Sequence, residues 1–120
     1  MNIKQKKTYT AHIYVGKRVA YSKTILPITL AEKYLHEYAD KIGLCVTIVD
    51  TKYIYTSNRM TEQIDGEEPG FIVGMINYPL YPETPESIQT KAREIATALK
   101  GLYQQQKVTI VFPDITETIQ

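Results

Sequence analysis

The stretch that decides the fold reads GFIVGMINYP over residues 70–79. Apolar side chains occupy both of its faces, because Phe71, Val73 and Met75 alternate with further apolar residues. A strand that is apolar on both faces is typical of the centre of a sheet that is covered on both sides. Pro79 ends the stretch, since proline lacks the amide hydrogen that strand pairing needs. The sequence therefore predicts a central strand here.

A helix and a further strand follow the central strand. Thr84 is in place to cap a helix whose first residue is Pro85, and apolar residues recur at helical spacing from Ile88 to Leu102. Residues 108–112 read as the last strand, which a proline at position 113 ends.

The first half of the chain repeats this order of elements. Residues 9–15 alternate between apolar and polar side chains, which predicts a half-buried strand. Thr29 and Glu32 fit a capping box that starts a helix, and Gly43 is in place to end it. Residues 44–55 return to the composition of a strand. Residues 19–26 are compatible with either an additional strand or a long connection.

The order strand, helix, strand, strand, helix, strand predicts an α+β fold of the ferredoxin-like type (split βαβ, βαββαβ). In that fold, two helices cover one face of an antiparallel sheet. A chain of 120 residues is long enough for a single domain with its own core. We therefore expect one domain over residues 1–120, with residues 1–8 and 114–120 as tails.

Composition excludes several classes of protein. The chain is 43% apolar with a net charge of +1, as is ordinary for a globular protein. Its sequence contains no apolar run of membrane-spanning length and no secretory signal at its start. Cys45 is the only cysteine, and with His12 and His36 it has no metal-ligand spacing. We expect a cytoplasmic protein without a metal, a cofactor or a membrane partner.

Charge is distributed unevenly along the chain. Residues 1–31 contain lysines and Arg18 but no acid, and acidic residues gather over positions 62–68. Such asymmetry indicates a contact with an anion. The basic residues are not dense enough to favour nucleic acid as the partner.

Tyrosine is abundant: the chain has ten tyrosines, no tryptophan and two phenylalanines. Several tyrosines fall at strand ends or in loops, where a ring with a polar tip suits stacking on a ligand. Combined with the basic residues, they give a set of candidate ligand contacts: Lys17, Arg18, Tyr21, Arg59, Tyr78 and Tyr81.

Catalytic residues are harder to find in the sequence. No Gly-rich phosphate loop and no nucleophile motif occurs, so we assign no catalytic residue. A pairing of His12 with Cys45 across the sheet would allow acid–base or nucleophilic chemistry. An enzyme that uses His12 or Cys45 therefore stays open as an alternative to a passive binder.

The face of the sheet opposite the helices is expected to be unusually apolar. It would carry Val49, Val111 and one side of the strand over residues 70–78. Monomers seldom expose so much contiguous apolar surface. We expect that another copy of the chain covers this face.

Most of the chain resembles small accessory proteins that are encoded in phages and prophages. The resemblance rests on residues 68–79, on 108–114 (VTIVFPD), on 12–16 (HIYVG) and on 43–47 (GLCVT). It implies an accessory role, and such proteins often counter host defences, some of them by sequestering nucleotide second messengers. It carries no catalytic residues over to this chain.

Together these patterns favour a non-catalytic, homo-oligomeric protein that binds a small anionic ligand. A nucleotide-like signalling molecule that a phage protein sequesters is one such ligand. The alternatives are the small enzyme described above and an inhibitor that uses residues 56–69 to bind a host enzyme.

Overall fold

The computed structural model of the protein describes residues 1–55, 66–78 and 83–120. In them the chain forms two helices and five strands. Their order is β1 (Thr10–Gly16), α1 (Thr29–Ile42), β2 (Val46–Ile54), β3 (Glu67–Ile76), α2 (Pro85–Leu102), β4 (Val108–Val111) and β5 (Thr116–Ile119). The predicted α+β class and the βαββαβ order are confirmed.

The sheet has the strand order β2-β3-β1-β4-β5, and every neighbouring pair is antiparallel. β3, which contains the stretch GFIVGMI, lies between β2 and β1. In the β1–β3 pair, Gly16 lies opposite Gly70 at one end and Thr10 lies opposite Ile76 at the other. The first four strands have the ferredoxin-like order, and β5 extends the sheet beyond β4.

One face of the sheet packs against both helices, and we call it the helix face. The alternation in β1 produces it, because Ala11, Ile13 and Val15 are at most 1% exposed while His12 and Tyr14 point to the other side. Helix α2 supplies the matching apolar stripe, with five fully buried residues: Ile88, Ala92, Ile95, Ala96 and Leu99. The buried side chains of the alternating strand thus pack against the apolar stripe of the helix in one core.

The start of α1 differs from the predicted capping box. Ile28 occupies the cap position in a helical conformation, and its own side chain makes no capping hydrogen bond. The amide of Glu32, which a Thr29 cap would have bonded, donates to the carbonyl of Ile28 at 3.1 Å. The capping-box prediction is therefore wrong, because helical geometry begins before Thr29. Gly43 ends the helix in the left-handed conformation (φ 66°), as predicted.

Helix α2 begins as predicted. The hydroxyl of Thr84 accepts a hydrogen bond from the amide of Ser87 at 3.1 Å, and Pro85 is the first helical residue. Two threonines at helix starts thus have different roles, and only Thr84 satisfies an amide.

We expect Thr84→Ala to lower the free energy of unfolding by about 1 kcal/mol, the usual value of a side-chain cap. Thr29→Ala is the matched control, and it should change the free energy by less than about 0.5 kcal/mol. Urea denaturation of both variants measures the difference. Equal losses in the two variants would contradict the cap assignment.

The C-terminus corrects a second prediction. Residues 116–119 of the expected tail form β5, which pairs with β4 from Val111↔Thr116 to Val108↔Ile119. The amide of Phe112 donates to the carbonyl of Ile115 at 2.8 Å, which closes the turn between the two strands. Strand β5 also contacts α2, because Glu117 forms a bidentate ion pair with Arg93. The sequence TETI is too short and too polar to show this strand by itself.

The segment between β1 and α1 is a long connection. Its only described β-bridge joins Arg18 to Ile25, so residues 19–26 do not form an extra strand. The turn is held to the α2–β4 loop, because the side-chain amide of Gln105 donates to the carbonyl of Arg18 at 2.6 Å. In the described part of the chain, no helix is long and apolar enough to cross a membrane.

Candidate functional site

The face of the sheet opposite the helices is not covered by any helix or strand of the described residues, and we call it the open face. The strand registers place its side chains in rows that run across the strands. One row is Thr47, Gly74, His12 and Val111, and the next is Val49, Ile72, Tyr14 and Thr109. Several of its apolar side chains are exposed, with Val49 at 56%, Ile76 at 39% and Tyr14 at 37%.

Strand β3 presents glycine twice on the open face, and the first of these glycines has a structural role. The ring of Tyr53 lies on Gly70, where a Cβ would be 2.2 Å from the ring. The Tyr53 hydroxyl donates to the carbonyl of Phe71 at 2.8 Å and lies 3.1 Å from the carbonyl of Val15. The space above Gly70 is thus filled by this chain's own tyrosine.

The second glycine, Gly74, lies under an open depression of about 130 Å³. A Cβ at Gly74 would lie 2.5 Å from Oγ1 of Thr47 and 3.7 Å from Cδ2 of His12, so the lack of a side chain creates the space. We call this feature the Gly74 depression. Its lining consists of Thr10, His12, Cys45, Val46, Thr47, Gly74, Met75, Ile76 and Tyr78.

The described lining of the Gly74 depression is chemically mixed. It contains hydroxyls, one thiol, one imidazole and one phenol, and no lysine, arginine or carboxylate is among these described residues. His12 is exposed on β1, opposite Gly74 in the register, and its imidazole borders the depression. It is therefore accessible to a ligand.

The His12–Cys45 pair of the enzyme alternative is not in contact. Cys45 immediately precedes β2, and β3 lies between β2 and β1. Adjacent strands are about 4.8 Å apart, so the two side chains start from backbones about 10 Å apart. Both line the Gly74 depression from opposite sides, which permits each to touch one ligand. In the described residues, no three His, Cys, Asp or Glu side chains converge as metal ligands.

Lys17 and Arg18, two of the candidate ligand contacts, lie at the other end of β1 and are paired with acids. The Lys17 ammonium is 2.6 Å from a carboxylate oxygen of Asp50. Nε of Arg18 donates to both oxygens of Glu68, at 3.0 and 3.1 Å. These cations hold the end of β1 to β2 and β3.

The candidate tyrosines are dispersed. Tyr21 is 91% exposed in a left-handed conformation (φ 59°), and its hydroxyl bonds the side-chain amide of Gln106. Tyr78 follows β3 and lines the Gly74 depression with 45% of its surface exposed. Arg59 and Tyr81 lie outside the described residues.

The candidate contacts do not form one described group. Gly16 and Gly70 mark the end of the sheet near Lys17 and Arg18, whereas Tyr78 follows the opposite end of β3. Six residues of β-strand span about 20 Å at about 3.4 Å each. Ligand contacts at these residues stay a prediction, and of the four candidates that the structure describes, Tyr78 is the one that lies at the depression.

The sequence analysis missed the residues that shape the open face. Gly70 and Gly74 are four residues apart, so they lie on the same face of β3. Two glycines at that spacing in an otherwise apolar strand indicate that other groups approach the backbone of the strand closely. Thr47 carried no signal, since nothing local shows that it lies beside Gly74.

Burial changes the acidity of the tyrosine that fills the first glycine position. Desolvation raises the pKa of Tyr53 to about 12 from 10.0, although its hydrogen bond with Val15 acts in the opposite direction. Burial, followed by the nearby Glu94 carboxylate, likewise raises the pKa of Tyr38 to about 12. Neither phenol is thus suited to act as a base near neutral pH.

These tyrosines make the protein sensitive to alkali. Between pH 10 and about 12 the unfolded chain loses their protons while the native state keeps them. Rising pH therefore favours unfolding in this window, whereas below it the contribution is constant. Denaturation at a series of pH values should show the fall in stability. It should be less steep in Tyr53→Phe, and equal slopes in this variant and the natural protein would contradict the assignment.

The fold is similar to that of phage-encoded proteins of known structure. No protein-family model matches the chain, and no curated protein matches it in sequence. Two solved structures match with a TM-score of 0.68. One is a phage SAM lyase in complex with S-methyl-5'-thioadenosine, 16% identical, matched over 100% of this chain and 95% of that one. The other is a phage SAM lyase in its apo state, 18% identical, matched over 93% and 88%.

The comparisons show that the fold is shared with phage-encoded proteins. This agrees with the resemblance to phage accessory proteins that the sequence carries. At 16% and 18% identity, the likeness concerns the fold alone.

Proposed function

We propose that this protein binds S-adenosylmethionine (SAM) at the Gly74 depression and cleaves it, as a phage counter-defence protein. The observation that carries the proposal is the full-length likeness to a phage SAM lyase, which includes all of this chain. Removal of SAM would deprive the enzymes of a host cell of their methyl donor. The Gly74 depression supplies a place for the ligand on the open face.

The described lining of the depression suits a nucleoside that carries no phosphate, such as SAM, whose sulfonium and ammonium charges outweigh its one carboxylate. Tyr78 offers a ring on which a base can stack, and Thr10 and Thr47 offer hydroxyls for hydrogen bonds. No lysine or arginine is among the described residues that line the depression, and Lys17 and Arg18 are paired with carboxylates. An adenosyl sulfonium therefore replaces, in this proposal, the anionic ligand that the sequence favoured.

Cleavage requires little from the protein. When the bond between sulfur and Cγ of the methionine part of SAM breaks, the bonding electrons stay on sulfur and methylthioadenosine leaves as a neutral thioether. In the same step a base removes a proton from Cβ and a carbon–carbon double bond forms, or the carboxylate of the substrate attacks Cγ and closes a lactone. We assign His12 as the proton acceptor, because it is the only imidazole that lines the described depression.

A second copy of the chain would complete the site. A volume of about 130 Å³ is small for a nucleoside, since ligand pockets usually measure about 300–1,000 Å³. Exposed apolar side chains surround the depression, among them Ile76 and Val49. In the predicted homo-oligomer, contact between the open faces of two copies would bury these apolar side chains. The same contact would deepen the depression.

A non-catalytic binder is the second candidate function. It is favoured by the separation of His12 from Cys45, which leaves the imidazole without a described partner that would orient it. Such a protein would sequester its ligand without changing it, as the sequence analysis expected.

The test is incubation of the purified protein with methyl-labelled SAM, followed by chromatography with mass detection and by calorimetric titration. The proposal predicts binding and the release of labelled methylthioadenosine. Gly74→Ala should abolish binding, because the new Cβ enters the depression and displaces Thr47. His12→Ala should retain binding and lose cleavage.

Gly101→Ala is the matched control, because a Cβ there meets nothing within 4 Å. It should bind and cleave as the natural protein does. Recovery of bound SAM unchanged would favour the sequestering protein over the lyase. If SAM is neither bound nor cleaved, the proposed function is wrong.

A further inference from the structure

We propose that the groove between α1 and the outer edge of β2 binds the N-terminal arm, residues 1–6, of a second copy of this chain. This inference goes beyond the proposed function and does not depend on it. The surface concerned lies on the helix side of β2, and at the start of that strand it shares Cys45 and Val46 with the Gly74 depression.

Strand β2 lies at the edge of the sheet. It runs over Val46–Ile54, and β3 is the only described strand that pairs with it. Its outer amide and carbonyl groups therefore form a template for another extended segment. Natural proteins seldom leave so long an edge uncovered, because it promotes aggregation. An added strand gains main-chain hydrogen bonds along such an edge.

A groove of about 300 Å³ runs beside this edge. Its floor is apolar, formed by Leu35, Ala39, Leu44, Val46 and Ile48. A groove of this kind next to a free strand edge accepts an apolar side chain from the added segment, while the main chain bonds to the strand.

One carboxylate lines the groove, that of Glu32, and the imidazole of His36 lies beside it on α1. No described lysine or arginine lies within ion-pairing distance of Glu32. An apolar groove with an unpaired carboxylate is complementary to a segment that combines an apolar residue with basic ones.

The N-terminal arm has that composition. It reads MNIKQK, so that Ile3 is followed by Lys4 and Lys6. Every residue of the arm is exposed, and the side chain of Ile3 is exposed at 72%. An exposed isoleucine between polar residues thus has a matching apolar groove elsewhere on the same surface.

The geometry favours a second copy over the same chain. Asn77 holds the backbone on both sides of residue 8, since its side chain donates to the carbonyl of Lys7 at 2.8 Å and accepts from the amide of Tyr9 at 3.0 Å. Residues 1–8 are exposed in the structure, so the chain's own arm does not occupy its groove.

Cys45 makes the proposal directly testable. It is the only cysteine, and it lines the groove. In the variant Ile3→Cys, an arm seated in the groove would bring the introduced thiol beside Cys45 of another copy. The full-length variant is incubated in a glutathione redox buffer, and the products are analysed by non-reducing electrophoresis and peptide mapping.

The expected result is a disulfide between the introduced thiol and Cys45 of a different chain. Its yield should exceed that of Ile115→Cys, a matched variant at a site of 56% exposure on the β4–β5 turn, by about tenfold, because docking raises the effective thiol concentration. Adding Glu32→Lys to Ile3→Cys should reduce the yield, and so should high salt.

Equal yields from the two cysteine variants would overturn the proposal. A disulfide formed within one chain would overturn it as well, since the arm would then occupy its own groove. Neither result depends on SAM, so the outcome is independent of the test of the proposed function.

Discussion

Replacing Gly70 by alanine is expected to lower the free energy of unfolding by about 3 kcal/mol, at the upper end of the usual cost of overpacking. The new Cβ would lie 2.2 Å from Cε2 of Tyr53 and 2.5 Å from the carbonyl oxygen of Val15. The second contact is with backbone of the neighbouring strand, which a side-chain rotation cannot relieve. The β1–β3 pair must therefore shift, and the hydrogen bonds of Tyr53 to both strands are strained with it.

Gly101→Ala is the control for this prediction. Gly101 lies inside α2 with open space around its missing side chain, so alanine should stabilise the protein by about 0.5–1 kcal/mol through helix propensity. Chemical denaturation of the two variants should thus give changes of opposite sign. A loss of less than about 1 kcal/mol in Gly70→Ala would show that the strands accommodate the methyl group.

A double variant separates the two contacts at Gly70. Removing the ring in Tyr53→Ala relieves the clash with Cε2 but leaves the one with the Val15 carbonyl. We therefore expect Gly70→Ala to remain destabilising in the Tyr53→Ala background, by less than in the natural protein. Full recovery would assign the whole cost to the side chain.

The sequence predicted the parts of the fold that depend on local pattern. The alternation of Ala11, Ile13 and Val15 identified the helix face of β1, and Thr84 with Pro85 identified the start of α2. Each of these signals lies within a few residues of the structure that it specifies. Strand β5 escaped prediction because its pairing with β4 and its ion pair to α2 supply what its own sequence lacks.

The candidate site was predicted less well because its determinants are distant in sequence. Lys17 and Arg18 read as free cations, but their partners Asp50 and Glu68 are 33 and 50 positions away. The sequence shows that these side chains are charged, but it does not show which carboxylates pair with them. His12 was recognised as a candidate, whereas its position opposite Gly74 follows only from the register of β1 and β3.

The start of helix α1 also depends on a residue that is distant in sequence. Its first turn is capped from the far end of the chain, because the hydroxyl of Tyr103 accepts from the amide of Ala31 at 3.0 Å and donates to the carbonyl of Pro27 at 2.6 Å. Tyr103 is fully buried, and its ring packs against Phe71 with centroids 4.9 Å apart. One side chain thus fixes the position of α1 on the sheet.

Tyr103→Phe should therefore cost about 2 kcal/mol, since it keeps the ring and leaves the buried amide of Ala31 without a partner. The loss should be local as well as global, with faster hydrogen exchange at Ala31 and little change in α2. Tyr34→Phe is the control, because the Tyr34 hydroxyl makes no hydrogen bond to a described residue, and it should change stability by less than about 0.5 kcal/mol. Unchanged exchange at Ala31 in Tyr103→Phe would mean that another group caps α1, since an orphaned amide exchanges with solvent as soon as the first turn opens.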